Sequence, residues 1–219
     1  MIGQAGFKTT KSRPSRQDAT CFATGTLIAV ADGAVPVEAL RPGDLVVTVH
    51  GGPVLQPLLW VGQLHVNLVR HPRPTRIAPV VIRAGALGDG LPFRDLRVSP
   101  EHALFLGGRL VPARLLLNGR SIVQENWCRE VTYHHIELDR HGLVVSEGAV
   151  SETYIDEGNR HLFDNAGITA LAADGAALRG NGRYADAVCA PVLAEGDPAL
   201  DALRRRLTVA PVPDFSNGL

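Results

Sequence analysis

From Cys21 to about Phe163, short apolar runs rich in Val, Ile and Leu alternate with clusters of Gly, Pro, Asn and Asp. Runs this short do not complete a helical stripe, and their β-branched content favours strands. The pattern predicts strands over Leu27–Ala31, Leu45–Val49, Leu58–Val66, Ile77–Ile82, Ala103–Leu106, Arg109–Pro112, Ile122–Glu125, Val131–Leu138 and Gly142–Val145. Turn signals fall at Asp32-Gly33, Pro42-Gly43, Gly51-Gly52-Pro53, Gly107-Gly108 and Asn118-Gly119, where Gly, Asn and Asp take turn geometries that other residues resist. Many short strands with frequent turns make an all-β fold rather than alternating βαβ units. Pro112–Leu117, ahead of Asn118-Gly119, reads as a single helical turn, and Val80–Leu87 as a second short helix.

After about Asn165 the pattern changes. Residues 166–196 are rich in Ala and Gly with little strand character, and Asp197–Leu207 then reads as a helix. Asp197 suits the N-cap, Pro198 the first helical position, and Arg204-Arg205-Arg206 the C-terminal turn. Leu200, Leu203 and Leu207 form one apolar stripe that predicts docking on the β domain. The expected organisation is a leader over residues 1–20, a β domain over 21–165 and a C-terminal extension with a docked helix over 166–219.

Composition narrows the function classes. At 219 residues, 45% hydrophobic and 20% charged, the chain suits one domain with an appendage. With 22 basic and 22 acidic residues the net charge is zero, which argues against nucleic acid as a partner. No run of about eighteen apolar residues occurs, so no membrane segment is expected. The leader carries Lys8, Lys11, Arg13 and Arg16 but no apolar stretch, so it does not read as a secretory signal. The cytoplasm is the expected location, with export without a signal peptide as the alternative. The three cysteines, Cys21, Cys128 and Cys189, are sparse and odd in number, which argues against a disulfide framework.

Cys21 stands where the leader meets the β domain. A cysteine at such a boundary can attack the carbonyl before it and convert the Thr20–Cys21 amide into a thioester. Two further segments hold suitable partners: Leu96–Phe105, with Ser99 and His102 between apolar runs, and Thr132–Val145, with His134, His135 and His141. Cleavage of an amide by an adjacent thiol requires the departing amine to be protonated, and imidazole is the best proton carrier near neutral pH. A nearby hydroxyl can hold the amide in a reactive geometry.

These residues carry a resemblance. Cys-Phe-x-x-Gly-Thr at 21–26, Val-x-x-Leu-x-x-Gly-Asp at 37–44 and Ser-Pro-x-His at 99–102 resemble the Hint domain, the self-processing module of hedgehog C-terminal domains, inteins and bacterial intein-like proteins. Arg94–His102 and Glu152–Arg160 resemble the bacterial branch, and the likeness covers roughly residues 21–165. It implies a compact, horseshoe-like all-β disk with Cys21 at its first strand. It implies that Cys21 performs an N-to-S acyl shift on the Thr20 carbonyl, with the chain's own N-terminal segment as substrate. His102 would polarise the amide and protonate the released amine, Ser99 would keep the hydroxyl that is more often threonine, and His141 would match the later histidine. No cofactor or metal is implied.

Two departures matter. Where inteins often carry aspartate after the tyrosine, this chain has His134, a candidate site residue, and which residue tunes the nucleophile stays open. Where inteins end in His-Asn, it has Ser151-Glu152, so asparagine cyclisation and full splicing are not expected. What remains is N-terminal cleavage, with the thioester passing to water or a small nucleophile. The competing readings are a silent Hint-fold binding or assembly module and a hydrolase acting on other molecules. The last lacks a nucleophile-elbow motif.

Other readings are blander. His134 and His135 fall on opposite faces of a strand, one buried and one exposed. Cys128 with His134, His135 and His141 matches no zinc-finger spacing. Gly85–Gly90 reads as a loop, Cys189 as structural, Glu101 as solvated and the arginine run as a solvated helix end.

Overall fold

The structure is a computed structural model that describes residues 20–50, 54–156, 159–166 and 188–209. All but Thr20 of the expected leader, the Gly51-Gly52-Pro53 turn and most of the Ala/Gly-rich segment lie outside the described residues. The strands are β1 (Phe22–Ala23), β2 (Leu27–Val30), β3 (Gly33–Pro36), β4 (Leu45–His50), β5 (Leu55–Pro57), β6 (Trp60–Asn67) and β7 (Val80–Ile82). They continue with β8 (Leu96–Val98), β9 (Ala103–Leu106), β10 (Arg109–Pro112), β11 (Ile122–Gln124), β12 (Glu130–Glu137), β13 (Leu143–Ser146) and β14 (Ala149–Glu152). A C-terminal helix, α1 (Pro198–Val209), follows. Among the described residues the fold is all-β with one helical appendage.

One sheet runs in the order β11-β7-β8-β1-β12-β6. The other runs β10-β9-β14-β13-β2-β4-β5, with β3 on β2. The longest ladder is β6 on β12, from Trp60↔Glu137 to Asn67↔Glu130. Its β6 strand alternates, burying Trp60, Gly62, Leu64 and Val66 while Gln63, His65 and Asn67 are exposed and Val61 packs against the larger core. Gly62 is required there: a Cβ at this position would run into the rings of Trp60 and Phe163. The β9–β10 hairpin turns on Gly107 and Gly108, both left-handed at φ 58° and 78°, a conformation only glycine adopts freely.

Two cores result. The larger is mainly aliphatic and joins Phe22, Ile28, Leu96, Leu104 and Ile136 to Leu200, Leu203 and Leu207 of α1. The stripe predicted for the helix is therefore the docking face, and each buried leucine contributes about 1.5–3 kcal/mol. Asp197 caps α1, its Oδ1 accepting the Ala199 N–H at 2.8 Å. Arg204 does not end in solvent as expected: its Nε donates to the Leu115 carbonyl at 2.7 Å and its guanidinium pairs with Glu195. The second core is aromatic, with Trp60, Tyr133, Tyr154 and Phe163 around Cys21.

The expected helix over Val80–Leu87 is not formed. Val80–Ile82 is strand β7, paired to β8 and β11, because three buried branched residues suit a central strand with both faces covered. The turn expected at Pro112–Leu117 is a single 3₁₀ turn over Ala113–Leu116. Strands β1, β3, β5, β8 and β14 were not expected, being too short to display a period.

Candidate active site

Cys21 enters β1 fully buried, and one residue takes both of its main-chain polar groups. Its N–H donates to Ser99 Oγ at 2.8 Å, and its carbonyl accepts the Ser99 N–H at 2.9 Å. The sheet sets this contact, because β1 pairs with β8 at Phe22↔Val98, one residue short of Ser99. Ser99-Pro100 then opens the expected turn. The His102 N–H returns to the Ser99 carbonyl at 3.1 Å, and the Ala113 N–H closes onto the His102 carbonyl at 2.9 Å. Glu101 points outward and pairs with Arg114 at 2.7 Å, as its solvated reading anticipated.

His102 is fully buried with its ring edge on Phe22, centroid to centroid 4.3 Å. Neither ring nitrogen has a hydrogen-bond partner. Burial lowers its pKa to about 4, opposed by the attraction of Glu152 and reinforced by His141. The ring is therefore neutral at pH 7. The same burial pushes the Cys21 thiol well above its ordinary range, and the Glu152 charge adds to the effect, so the resting nucleophile is a thiol rather than a thiolate.

The partner of Thr20 is His135, which the sequence reading considered with His134 and His141 but gave the blander reading of a strand residue. His135 Nε2 shares a 2.9 Å hydrogen bond with Thr20 Oγ1. His135 is fully buried, its Nδ1 has no partner, and its ring stands 5.8 Å from that of His102. Burial pushes its pKa well below the ordinary histidine value, with His102 and His141 adding to the shift. His134, a candidate site residue, faces elsewhere: its Nε2 lies 3.0 Å from Thr24 Oγ1, and burial lowers its pKa. It is not drawn into the Cys21 group. The expectation that one of this pair is exposed also fails, since both are buried. The four consecutive residues Tyr133–Ile136 are all buried, so alternation along that part of β12 does not separate wet from dry.

His141 lies behind His102, facing Glu152, with Nε2 3.6 Å from Oε2. The other oxygen of Glu152 accepts the Ala103 N–H at 2.8 Å. Glu152 was missed as a site residue. Its only signal in the sequence was a carboxylate within the otherwise apolar or hydroxylic run Ala149–Tyr154. Thr20, Cys21, Ser99 and His102 thus form one group with His135, and His141 with Glu152 supports it. Among the described residues no group of three or more metal-ligating side chains converges. Cys128, set apart, donates its S–H to the Glu130 carbonyl at 3.0 Å.

A nucleophilic thiol, an amide tethered through its nitrogen and a neutral buried imidazole are the parts of an intramolecular acyl transfer. The model of the Hint domain family matches residues 20–158, beginning at Thr20 and enclosing every residue of this group. The chain belongs to the Hint domain family. Several solved Hint-fold structures are similar to it. A crystal structure of the MchDnaB-1 intein shares 11% identity, covering 61% of this chain and 99% of that one, with a TM-score of 0.45. A DnaB intein from Synechocystis shares 12%, covering 63% and 100%, with a TM-score of 0.43. A bacterial intein-like domain from Clostridium thermocellum shares 11%, covering 62% and 99%, with a TM-score of 0.39. No curated protein matches the sequence. Within this Hint domain the Cys21 group sits at the first strand, while the stretch from Val188 to α1 lies beyond the family match. Among the described residues no helix is long and apolar enough to cross a membrane.

Proposed function

We propose that this Hint domain cleaves its own chain at Thr20–Cys21 by an N-to-S acyl shift and releases the N-terminal segment through a thioester, without splicing. The observation that carries the reading is the 2.8 Å hydrogen bond from the Cys21 N–H to Ser99 Oγ, beside buried and neutral His102. In the shift, the Cys21 sulfur bonds to the Thr20 carbonyl carbon and the amide C–N bond breaks. The nitrogen takes up a proton as it leaves, and an acceptor on its N–H binds that developing ammonium more strongly than the neutral amide. The Ser99 hydroxyl therefore favours the transition state over the resting amide. His102, neutral at pH 7, can take the thiol proton and deliver it to the departing nitrogen. His135 holds the Thr20 side chain and so orients the acyl group.

Ser151 and Glu152 stand where inteins place His-Asn. Both are buried on β14, with Ser151 Oγ on Ser146 Oγ at 2.5 Å. With no asparagine there to cyclise, the reaction ends in thioester attack by water or another small nucleophile. The test is purified full-length chain treated with a thiol or hydroxylamine and followed by mass spectrometry. The expected result is loss of residues 1–20 from wild type and an intact Cys21→Ala variant.

One observation favours a second reading. The resting thiol is fully buried and protonated, which suits a silent binding or assembly module that retains the fold. A folded wild type that stays intact under both nucleophiles selects that module over self-cleavage.

A further inference from the structure

The segment beyond the family match closes over the back of the site. The Leu110 N–H donates to the Pro191 carbonyl at 2.9 Å and the Leu193 N–H to the Leu110 carbonyl at 2.8 Å, so residues 188–193 are tied to β10. This tie brings the Cys189 N–H to His141 Nδ1 at 3.0 Å. A donor on Nδ1 leaves the ring proton on Nε2, the atom that faces Glu152 Oε2 at 3.6 Å. The second oxygen of Glu152 takes the N–H of Ala103, adjacent to His102. The side chains of His141 and Glu152 are both about 1% exposed. The carboxylate is thus oriented from two sides, by a tautomer-fixed imidazole and by the backbone of the His102 loop.

A buried carboxylate is costly unless positive charge is present or forms beside it. The Phe22 and His135 rings pack against His102, and the titratable groups whose charge acts on it are Glu152 and His141. Among them only Glu152 favours an imidazolium. We infer that Glu152 is a positioning residue for the acyl shift. Its carboxylate, oriented by Ala103 and His141, stabilises the imidazolium that His102 becomes while carrying the thiol proton to the Cys21 nitrogen. Cys189 belongs to the same device through its backbone, because it sets the His141 tautomer that turns a proton toward Glu152. The inference rests on the acyl-shift reading. The step balances without a co-reactant: one S–C bond forms, one C–N bond breaks, and one proton passes from sulfur through His102 to nitrogen.

The test uses the full chain with Glu152→Gln, Glu152→Asp and Cys189→Pro, the last of which deletes the N–H that caps His141. The His102 titration midpoint is read by NMR in the Cys21→Ala background, and the single-turnover rate of thiol-induced cleavage is read with Cys21 present. Glu152→Gln is expected to lower the midpoint by about one unit and the rate by at least tenfold. Glu152→Asp should recover part of both, and Cys189→Pro should act in the same direction more weakly. An unchanged midpoint and rate in folded Glu152→Gln overturn the inference. If that variant does not fold, Cys189→Pro decides by the same criteria. If wild type fails to cleave yet Glu152→Gln still moves the midpoint, the coupling of Glu152 to His102 stands and only the acyl-shift reading is lost.

Discussion

Two clusters share the interior around β1 and β12, and they treat their polar groups differently. In the aromatic cluster the Tyr133 hydroxyl donates to the Ile77 carbonyl at 2.6 Å, and the Tyr154 hydroxyl donates to Asn159 Oδ1 at 2.6 Å. Arg160 covers the Trp60 ring at 4.4 Å and pairs with Glu137. In the neighbouring histidine cluster, both nitrogens of His102 and Nδ1 of His135 are buried with no partner. Folded chains rarely leave buried polar groups unmatched. The match in the aromatic cluster is incomplete, since Arg160 Nε is also buried without a hydrogen-bond partner, but both its tyrosine hydroxyls are paired where the imidazole nitrogens of His102 are not. The comparison separates residues that hold the fold from residues that the fold holds.

The largest effects should divide along that line. Cys21→Ala is expected to abolish nucleophile-induced cleavage completely while leaving the melting temperature within a few degrees, read by mass spectrometry and calorimetry on the same sample. Next, Trp60→Ala should remove about 3–5 kcal/mol of stability, measured by urea titration. His102→Asn should instead slow cleavage by about 10²-fold or more and cost little stability, because it deletes a poorly satisfied group. A His102 variant as destabilised as the Trp60 variant would erase the distinction.

Acid should also find the histidine cluster first. The folded pKa of His102 is about 4 against 6.5 for the unfolded chain, so the unfolded chain binds the extra proton between those values. Stability therefore rises with pH across this window and falls as pH drops from about 6.5 toward 4, by about 3 kcal/mol from His102 alone. Urea midpoints at pH 7 and pH 4.5 measure the slope, and His102→Asn should flatten it. Tyr133→Phe should leave the slope intact and cost about 1–3 kcal/mol at every pH, since it strands the Ile77 carbonyl. Smallest of all, Ser99→Thr should keep cleavage within a few-fold because it retains the hydroxyl, whereas Ser99→Ala should not. Equal rates for the two would remove the Ser99 hydroxyl from the mechanism.

Much of this molecule was legible along the chain. The strands β2, β4, β6, β7, β9, β10, β11, β12 and β13 announced themselves by β-branched runs between turn residues, and α1 by its cap, its proline and its leucine stripe. Cys21, Ser99 and His102 were also legible as candidates, since motif spacing placed a thiol, a hydroxyl and an imidazole at strand ends. The strands β1 and β8, of two and three residues, were not. They exist because neighbouring strands complete their hydrogen bonds, and no local period records that.

Side-chain direction divides the rest. Periodicity along β12 states that His134 and His135 face opposite ways but not which way each faces. The register Phe22↔His134 and Ala23↔Tyr133 decides that His135 meets Thr20 and His134 meets Thr24. Likewise nothing near Cys189 in sequence points to His141, 48 positions away. That contact exists because residues 188–193 add to β10 across the finished sheet. Local chemistry along the chain therefore determined most of the strands, the turn sites and the candidate thiol. Long-range pairing decided which imidazole touches Thr20 and which carboxylate meets the backbone beside His102, because those distances close only when strands far apart in sequence share a sheet.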